Sequence, residues 1–118
     1  MIILIGGCRY YDDYKTFCKY LDSYFSEIDN ASNITVLSGH CSGADMLAER
    51  YAEEMGYQVE LFPADWRRFG KAAGPIRNKQ MVEKADIVIA FWDNKSKGTK
   101  SLIGYAEKLK KPLRIVEI

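Results

Sequence analysis

The sequence predicts an α/β fold, a parallel β-sheet with helices packed on both faces, and three observations carry that expectation. Short apolar runs of strand length alternate with amphipathic stretches of helix length along the whole chain. The first two apolar runs end in Gly6-Gly7 and Ser38-Gly39, small residues suited to a chain leaving a buried strand. The helical stretches carry start and stop signals: Ser42-x-x-Asp45 and Pro75 at beginnings, Gly56 and Pro112 at ends.

Ile2 to Ile5 is a continuous apolar run, as expected of a strand buried on both faces. Asp12 and Asp13 open a helix whose apolar stripe is Tyr14, Phe17, Leu21, Phe25 and Ile28. Asp29-Asn30-Ala31-Ser32-Asn33 reads as a turn, and Ile34 to Leu37 as the second strand. The next helix starts at the Ser42/Asp45 capping box, buries Ala44, Leu47, Ala48, Tyr51, Ala52 and Met55, and stops at Gly56. Tyr57 to Phe62 forms a third strand, halted by Pro63. From Pro63 to Ala73 there is no period, only a loop rich in aromatic and basic residues. Gly74-Pro75 restarts a helix that runs to about Lys84. Ile87 to Phe91 is a fourth strand, Thr99 to Lys110 a helix with Leu102, Ile103, Ala106 and Leu109 inward, and Leu113 to Val116 a fifth strand. Right-handed crossovers leave few topologies, and the expected one is a Rossmann-like three-layer sandwich with strand order 3-2-1-4-5.

A chain of 118 residues supports one core, so residues 1–118 are expected to form one domain. With 47% apolar and 28% charged residues the composition is that of an ordinary globule. A net charge of +1 gives no overall field toward nucleic acid or an anionic membrane, so any positive patch must be local. No apolar run approaches the roughly 18–20 residues of a membrane span, and the amino-terminal run lacks the features of a signal peptide; a cytoplasmic setting is expected. Cys8, Cys18 and Cys41 are too few and too oddly numbered for a disulfide scaffold. His40, Cys41 and Cys8 lack paired metal-ligand spacing, so packing thiols are preferred and neither metal nor cofactor is expected.

In such a sheet, ligands bind beyond the carboxyl ends of the strands, near the reversal of strand order. The segments of unusual composition all fall on that edge. Gly6-Gly7 permits close backbone approach, with Arg9 placed to meet an anion, although two glycines also suit a plain tight turn. Ser38-Gly39-His40-Cys41-Ser42-Gly43-Ala44-Asp45 leads into a helix amino terminus, whose unpaired N–H groups and dipole bind phosphate or carboxylate. Ser96, Gly98 and Thr99 repeat that logic at the last helix. Trp92 on one side and Trp66 and Phe69 on the other could sandwich a base, with Arg67, Arg68 and Lys71 supplying charge. Arg77 and Asn78 lie in the first turns of the third long helix and join the candidates by convergence. The alternatives with strong motifs fail. No G-x-G-x-x-G follows the first strand, and no G-x-x-x-x-G-K-[ST] occurs anywhere.

Five motifs occur in order: Gly6-Gly7-x-Arg9, Ser38-Gly39-x-x-Ser42-Gly43-Ala44-Asp45, Pro63-Ala64-Asp65-Trp66, Gly74-x-x-Arg77-Asn78-x-x-Met81 and Phe91-Trp92-Asp93-x-x-Ser96-x-Gly98-Thr99. Over nearly the whole chain the series resembles the YspA-related branch of the SLOG superfamily, a Rossmann-like group. That superfamily includes the LONELY GUY phosphoribohydrolases, the DNA-processing protein DprA and ligand-sensing domains of prokaryotic conflict systems. The resemblance implies a prokaryotic or phage setting and a nucleotide-like small molecule, NAD-derived ones among them, bound or sensed at the strand ends. It leaves a homo-oligomer open.

LONELY GUY enzymes carry a glutamate three residues after their Gly-Thr pair. Here Gly98-Thr99 is followed by Lys100, Ser101 and Leu102, so the acid position holds leucine. Cleavage of an N-glycosidic or phosphate bond, the alternative function, would then rest on Asp45, Asp65 or Asp93. Asp45 is expected to be held ionised at its own helix start, so Asp93, beside Trp92 at a strand end, is the expected catalytic acid. A third alternative, DprA-like binding of single-stranded nucleic acid, is disfavoured by the near-neutral charge.

Overall fold

The computed structural model describes residues 1–28 and 33–118, so most of the turn expected at Asp29–Asn33 lies outside the described residues. Five strands, β1 (Ile2–Gly7), β2 (Thr35–Ser38), β3 (Gln58–Leu61), β4 (Ile87–Trp92) and β5 (Leu113–Glu117), form one sheet in the order β3-β2-β1-β4-β5. Every adjacent pair is parallel. The helices are α1 (Tyr14–Phe25), α2 (Ala44–Met55), α3 (Trp66–Phe69), α4 (Ala73–Lys84) and α5 (Lys97–Lys108). Class and strand order are those the sequence predicts. No helix among the described residues is long and apolar enough to cross a membrane.

Period-two alternation sorts the strand residues onto two faces. Ile3, Ile5, Val36, Ile89 and Phe91 pack under α1 and α2 against Phe17, Leu21, Ala48 and Tyr51. Leu4, Leu37 and Val88 point the other way, under α4 and α5, against Met81, Val82, Leu102 and Ala106. Both faces of β1 and β4 are therefore buried, which is why these strands read as unbroken apolar runs. The Phe17 ring stacks 4.5 Å from Phe91 and fixes α1 over β4.

Three local expectations are corrected. Gly6-Gly7 is not a turn: β1 runs through both, pairing Gly6 with Ala90 and Gly7 with Phe91. The Ser42/Asp45 capping box does not form. The N-cap of α2 is Gly43, at φ 77°, with no side-chain cap bond. Gly43 lies hard against the β1–α1 loop, where the Ala44 N–H donates to the Cys8 carbonyl at 3.1 Å, and Ser42 is left exposed. Finally, the aperiodic segment after Pro63 contains α3 and a 3₁₀ turn (Gly70–Ala72). Asp65 caps α3 by accepting from Arg68 N–H at 3.1 Å, a local bond too short-ranged to register as periodicity.

The chain leaves β1 toward β2 on one side, while β4 lies on the other side of β1. The β1/β4 boundary is thus the point where strand order reverses.

A candidate anion-binding site at the strand ends

A cavity of about 240 Å³ opens at that boundary, beyond the carboxyl ends of the strands. Gly6 and Gly7 line it where β1 ends, and Met81 and Leu102 add apolar lining. A side chain on Gly6 would enter this space: its Cβ would lie 3.2 Å from Leu102 Cδ2 and 3.3 Å from Asp45 Oδ1. Gly7 serves the sheet instead, since a Cβ there would come 2.3 Å from the Phe91 carbonyl oxygen.

Arg77, in the second turn of α4, is buried and lines the cavity. Its Nη1 donates to the Gly39 carbonyl at 2.6 Å and to the Phe62 carbonyl at 3.2 Å, while Nε donates to Asn78 Oδ1 at 2.9 Å. These bonds tie the carboxyl ends of β2 and β3 to α4. Among the described residues Nη2 meets only the Cys41 sulfur, at 3.8 Å, so the guanidinium keeps donor capacity. Asn78 completes the wall, its Nδ2 donating to the Gly98 carbonyl at 3.3 Å.

Asp45 faces the cavity with its side chain buried, residue exposure being 7%. Its Oδ2 accepts from the Cys41 N–H at 3.2 Å. Burial pushes the carboxyl up to about 6, against the opposing pull of Cys41 N–H and the Arg77 charge; Glu49 adds to the rise. The expectation that Asp45 is held firmly ionised by its helix start is therefore corrected. The carboxylate turns away from the helix end into a desolvated site.

The third wall is the start of α5. Ser96 caps it, its Oγ accepting from Thr99 N–H and Thr99 Oγ1, and Ser96, Gly98 and Thr99 all line the cavity. Helix geometry leaves the Lys97 and Gly98 N–H groups without intrahelical acceptors, with the positive end of the helix dipole behind them. Arg9, on the β1–α1 loop, completes the rim.

The expected residues therefore divide. Gly6, Gly7, Arg9, Asp45, Arg77 and Asn78 meet at the cavity, joined by the α5 start. Gly39, Gly43 and Ala44 support it from behind: a Cβ on Gly43 would fall 2.2 Å from the Cys8 carbonyl oxygen. Ser38 is buried, its Oγ donating to Glu49 Oε2 at 2.7 Å and accepting from His40 N–H at 3.1 Å. Trp92 does not reach the cavity walls; its Nε1 donates to the Ser96 carbonyl at 3.1 Å and secures the turn into α5. Trp66 stands outside the walls, half exposed, with the Arg9 guanidinium 6.0 Å from its ring centroid. The two indoles do not form a sandwich across the cavity.

Asp93 also lies outside the walls. It accepts from the Tyr10 hydroxyl and from the N–H groups of Lys95 and Ser96, at 2.9 and 2.8 Å. These bonds, Tyr10 foremost, hold its carboxyl well below the usual carboxylate range. Asp93 organises the β4–α5 turn and has no proton to deliver near neutral pH. Of the acids considered from sequence, Asp45 is the one in the cavity. Cys41 was missed as a wall residue. Met81 is a further wall, signalled only by its place one turn beyond Arg77, and Leu102, expected on the inward stripe of its helix, is another. Among the described residues no three His, Cys, Asp or Glu side chains cluster closely enough to hold a metal ion.

Fold and site together define a class, a Rossmann-like α/β protein with a cavity lined by arginines and a helix start at the strand ends. Residues 1–69 match the model of the YspA, cpYpsA-related SLOG family. The chain is also 36% identical over 113 residues to the Gene 61 protein of Mycobacterium phage D29, covering 90% of this chain and 88% of that relative. The chain belongs to the YspA, cpYpsA-related SLOG family.

Proposed function

We propose that the protein binds a nucleotide or nucleotide-derived, phosphate-bearing small molecule in this cavity. The observation that carries the reading is the meeting of a helix amino terminus (Ser96, Gly98, Thr99) with two arginines, Arg9 and Arg77, at the reversal of strand order. In this reading a phosphate sits on the first turn of α5, and a sugar lies over the bare backbone at Gly6. Trp66, beside Arg9, offers a face to a base leaving the mouth. The proposed setting is the cytoplasm, where such molecules are made. Calorimetry with ribose 5-phosphate against ribose is the test. Binding of the phosphorylated sugar alone is expected, and equal or absent binding of both would remove the phosphate site.

A second reading, hydrolysis of the bound molecule, is favoured by Asp45 alone. A buried carboxyl titrating at about 6 is suited to general acid–base work on a sugar or phosphate bond. Product detected by mass spectrometry after incubation with nucleoside monophosphates or NAD, and lost in Asp45→Asn, would establish turnover.

A further inference from the structure

The cavity holds one carboxylate among its donors, and half of that carboxylate is unspent. Asp45 is 7% exposed and lines the cavity. Its Oδ2 accepts from the Cys41 N–H at 3.2 Å. Its Oδ1 accepts from no donor among the described residues, though the Gly7 N–H lies near enough to pull the carboxyl down. No fully buried side-chain oxygen or nitrogen of those residues lacks a partner, so the unbonded Oδ1 is open to the cavity. It lies where the sheet is bare: a Cβ on Gly6 would stand 3.3 Å from it.

The groups around Asp45 do not pair with it. Arg77 of α4 approaches across Gly39, but its Nη1 is taken by the Gly39 and Phe62 carbonyls, and the four ion pairs among the described residues lie elsewhere. Glu49, one turn along α2, adds a like charge and is itself tied to Ser38 and His40. Arg9 lines the cavity from the β1–α1 loop and Cys41 from the loop before α2, while the lining residues at the α5 start, Ser96, Gly98 and Thr99, are neutral. An ionised carboxylate can only accept hydrogen bonds, and so can a fully ionised oxyanion. Set together in one cavity they repel, and a buried acceptor left without a donor is costly. We propose that Asp45 sets the specificity of the cavity. It admits an anion that brings its own hydrogen, on the anion or on the group attached to it, to donate to Oδ1, and it excludes an equally charged anion that has none. This rests on the cavity reading above and adds to it the chemistry that the bound molecule must carry.

Calorimetry at pH 8 with matched dianions tests it. Hydrogenphosphate carries a hydrogen where sulfate has none, and ribose 5-phosphate carries sugar hydroxyls where methyl phosphate has none. In at least one of these pairs the donor-bearing probe is expected to bind at least about tenfold more tightly, and the pair that shows it tells where the hydrogen sits. Asp45→Asn keeps the shape but exchanges the charge for an amide that can donate. It should gain sulfate affinity by about tenfold and narrow the preference, whereas loss of a merely structural residue would weaken every probe. In the native protein sulfate should bind about tenfold more tightly at pH 5 than at pH 8, because Asp45 then holds its own proton and can donate it in a hydrogen bond. His40→Gln should keep that rise; its disappearance there would assign the proton to His40 and overturn the inference. Both pairs bound without preference, or sulfate affinity not raised in Asp45→Asn, overturns the inference and leaves the cavity reading standing. Binding of none of the four probes at either pH overturns both.

Discussion

Arg77 and Asp45 approach each other across the backbone of Gly39. A Cβ on that glycine would lie 2.6 Å from Arg77 Nη1 and 2.8 Å from Asp45 Oδ2. The opposite charges of the cavity are thus held on two helices, α4 and α2, and kept in register by a residue without a side chain at the end of β2. Arg77 is further locked by donating to the Gly39 carbonyl itself.

Gly39→Ala should therefore disturb both charges at once. The added methyl must displace a buried, hydrogen-bonded guanidinium, at a cost of about 1–3 kcal/mol, typical of overpacking. Urea denaturation should report that loss, and ribose 5-phosphate affinity should fall with it.

Gly43→Val should fail more severely, and before any ligand is considered. The backbone there has φ 77°, and the new Cβ would meet the Cys8 carbonyl oxygen at 2.2 Å and the Arg9 backbone at 2.4 Å. Both neighbours are main chain and cannot swing aside. A loss of about 3 kcal/mol or more is expected, seen as a large drop in thermal midpoint or insoluble protein.

Asp45 should give stability a distinctive pH dependence. Its carboxyl rises from the ordinary 3.8 to about 6 on folding, so the folded state holds the proton more tightly than the unfolded chain. Its contribution is most favourable below about pH 4, declines as pH rises, and is lost above about pH 6, a swing on the order of 3 kcal/mol. Asp45→Asn removes this titration. Urea midpoints across that window should fall more steeply in the native protein than in the variant, and parallel curves would show that Asp45 does not titrate there.

The two tryptophans should separate structure from binding. Trp92→Ala removes the indole bond to the Ser96 carbonyl and should lower stability. Trp66→Ala, at a half-exposed position, should leave stability unchanged. It should weaken an intact nucleotide by about 1–3 kcal/mol, with ribose 5-phosphate unaffected. Equal losses for the two ligands in Trp66→Ala would take the base away from this face.

What the sequence made legible follows from what local pattern encodes. The strands β1 and β4 are buried on both faces and announce themselves as apolar runs, and the glycines and prolines that punctuate them place every crossover, so order and topology could be read. The cavity walls were legible because strand-end segments in this topology must converge. The capping of α2 was misread because Gly43 is fixed by a tertiary contact with the Cys8–Arg9 backbone, which no spacing within residues 42–45 reveals. The carboxyls of Asp45 and Asp93 depart from expectation for the same reason. Burial raises one and a bond from Tyr10, far away in sequence, lowers the other.

The central claim is that phosphate binds at the α5 start and the cavity around it. A ¹⁵N–¹H NMR titration with ribose 5-phosphate tests it most directly, because amide shifts report the place of binding as well as its strength. The account predicts saturable shifts at Gly98, Thr99, Gly6, Gly7 and Arg9, with Gly56 and Asp86 at the opposite edge of the sheet unmoved. Shifts confined to that opposite edge, or none at any amide up to millimolar ligand, would contradict it.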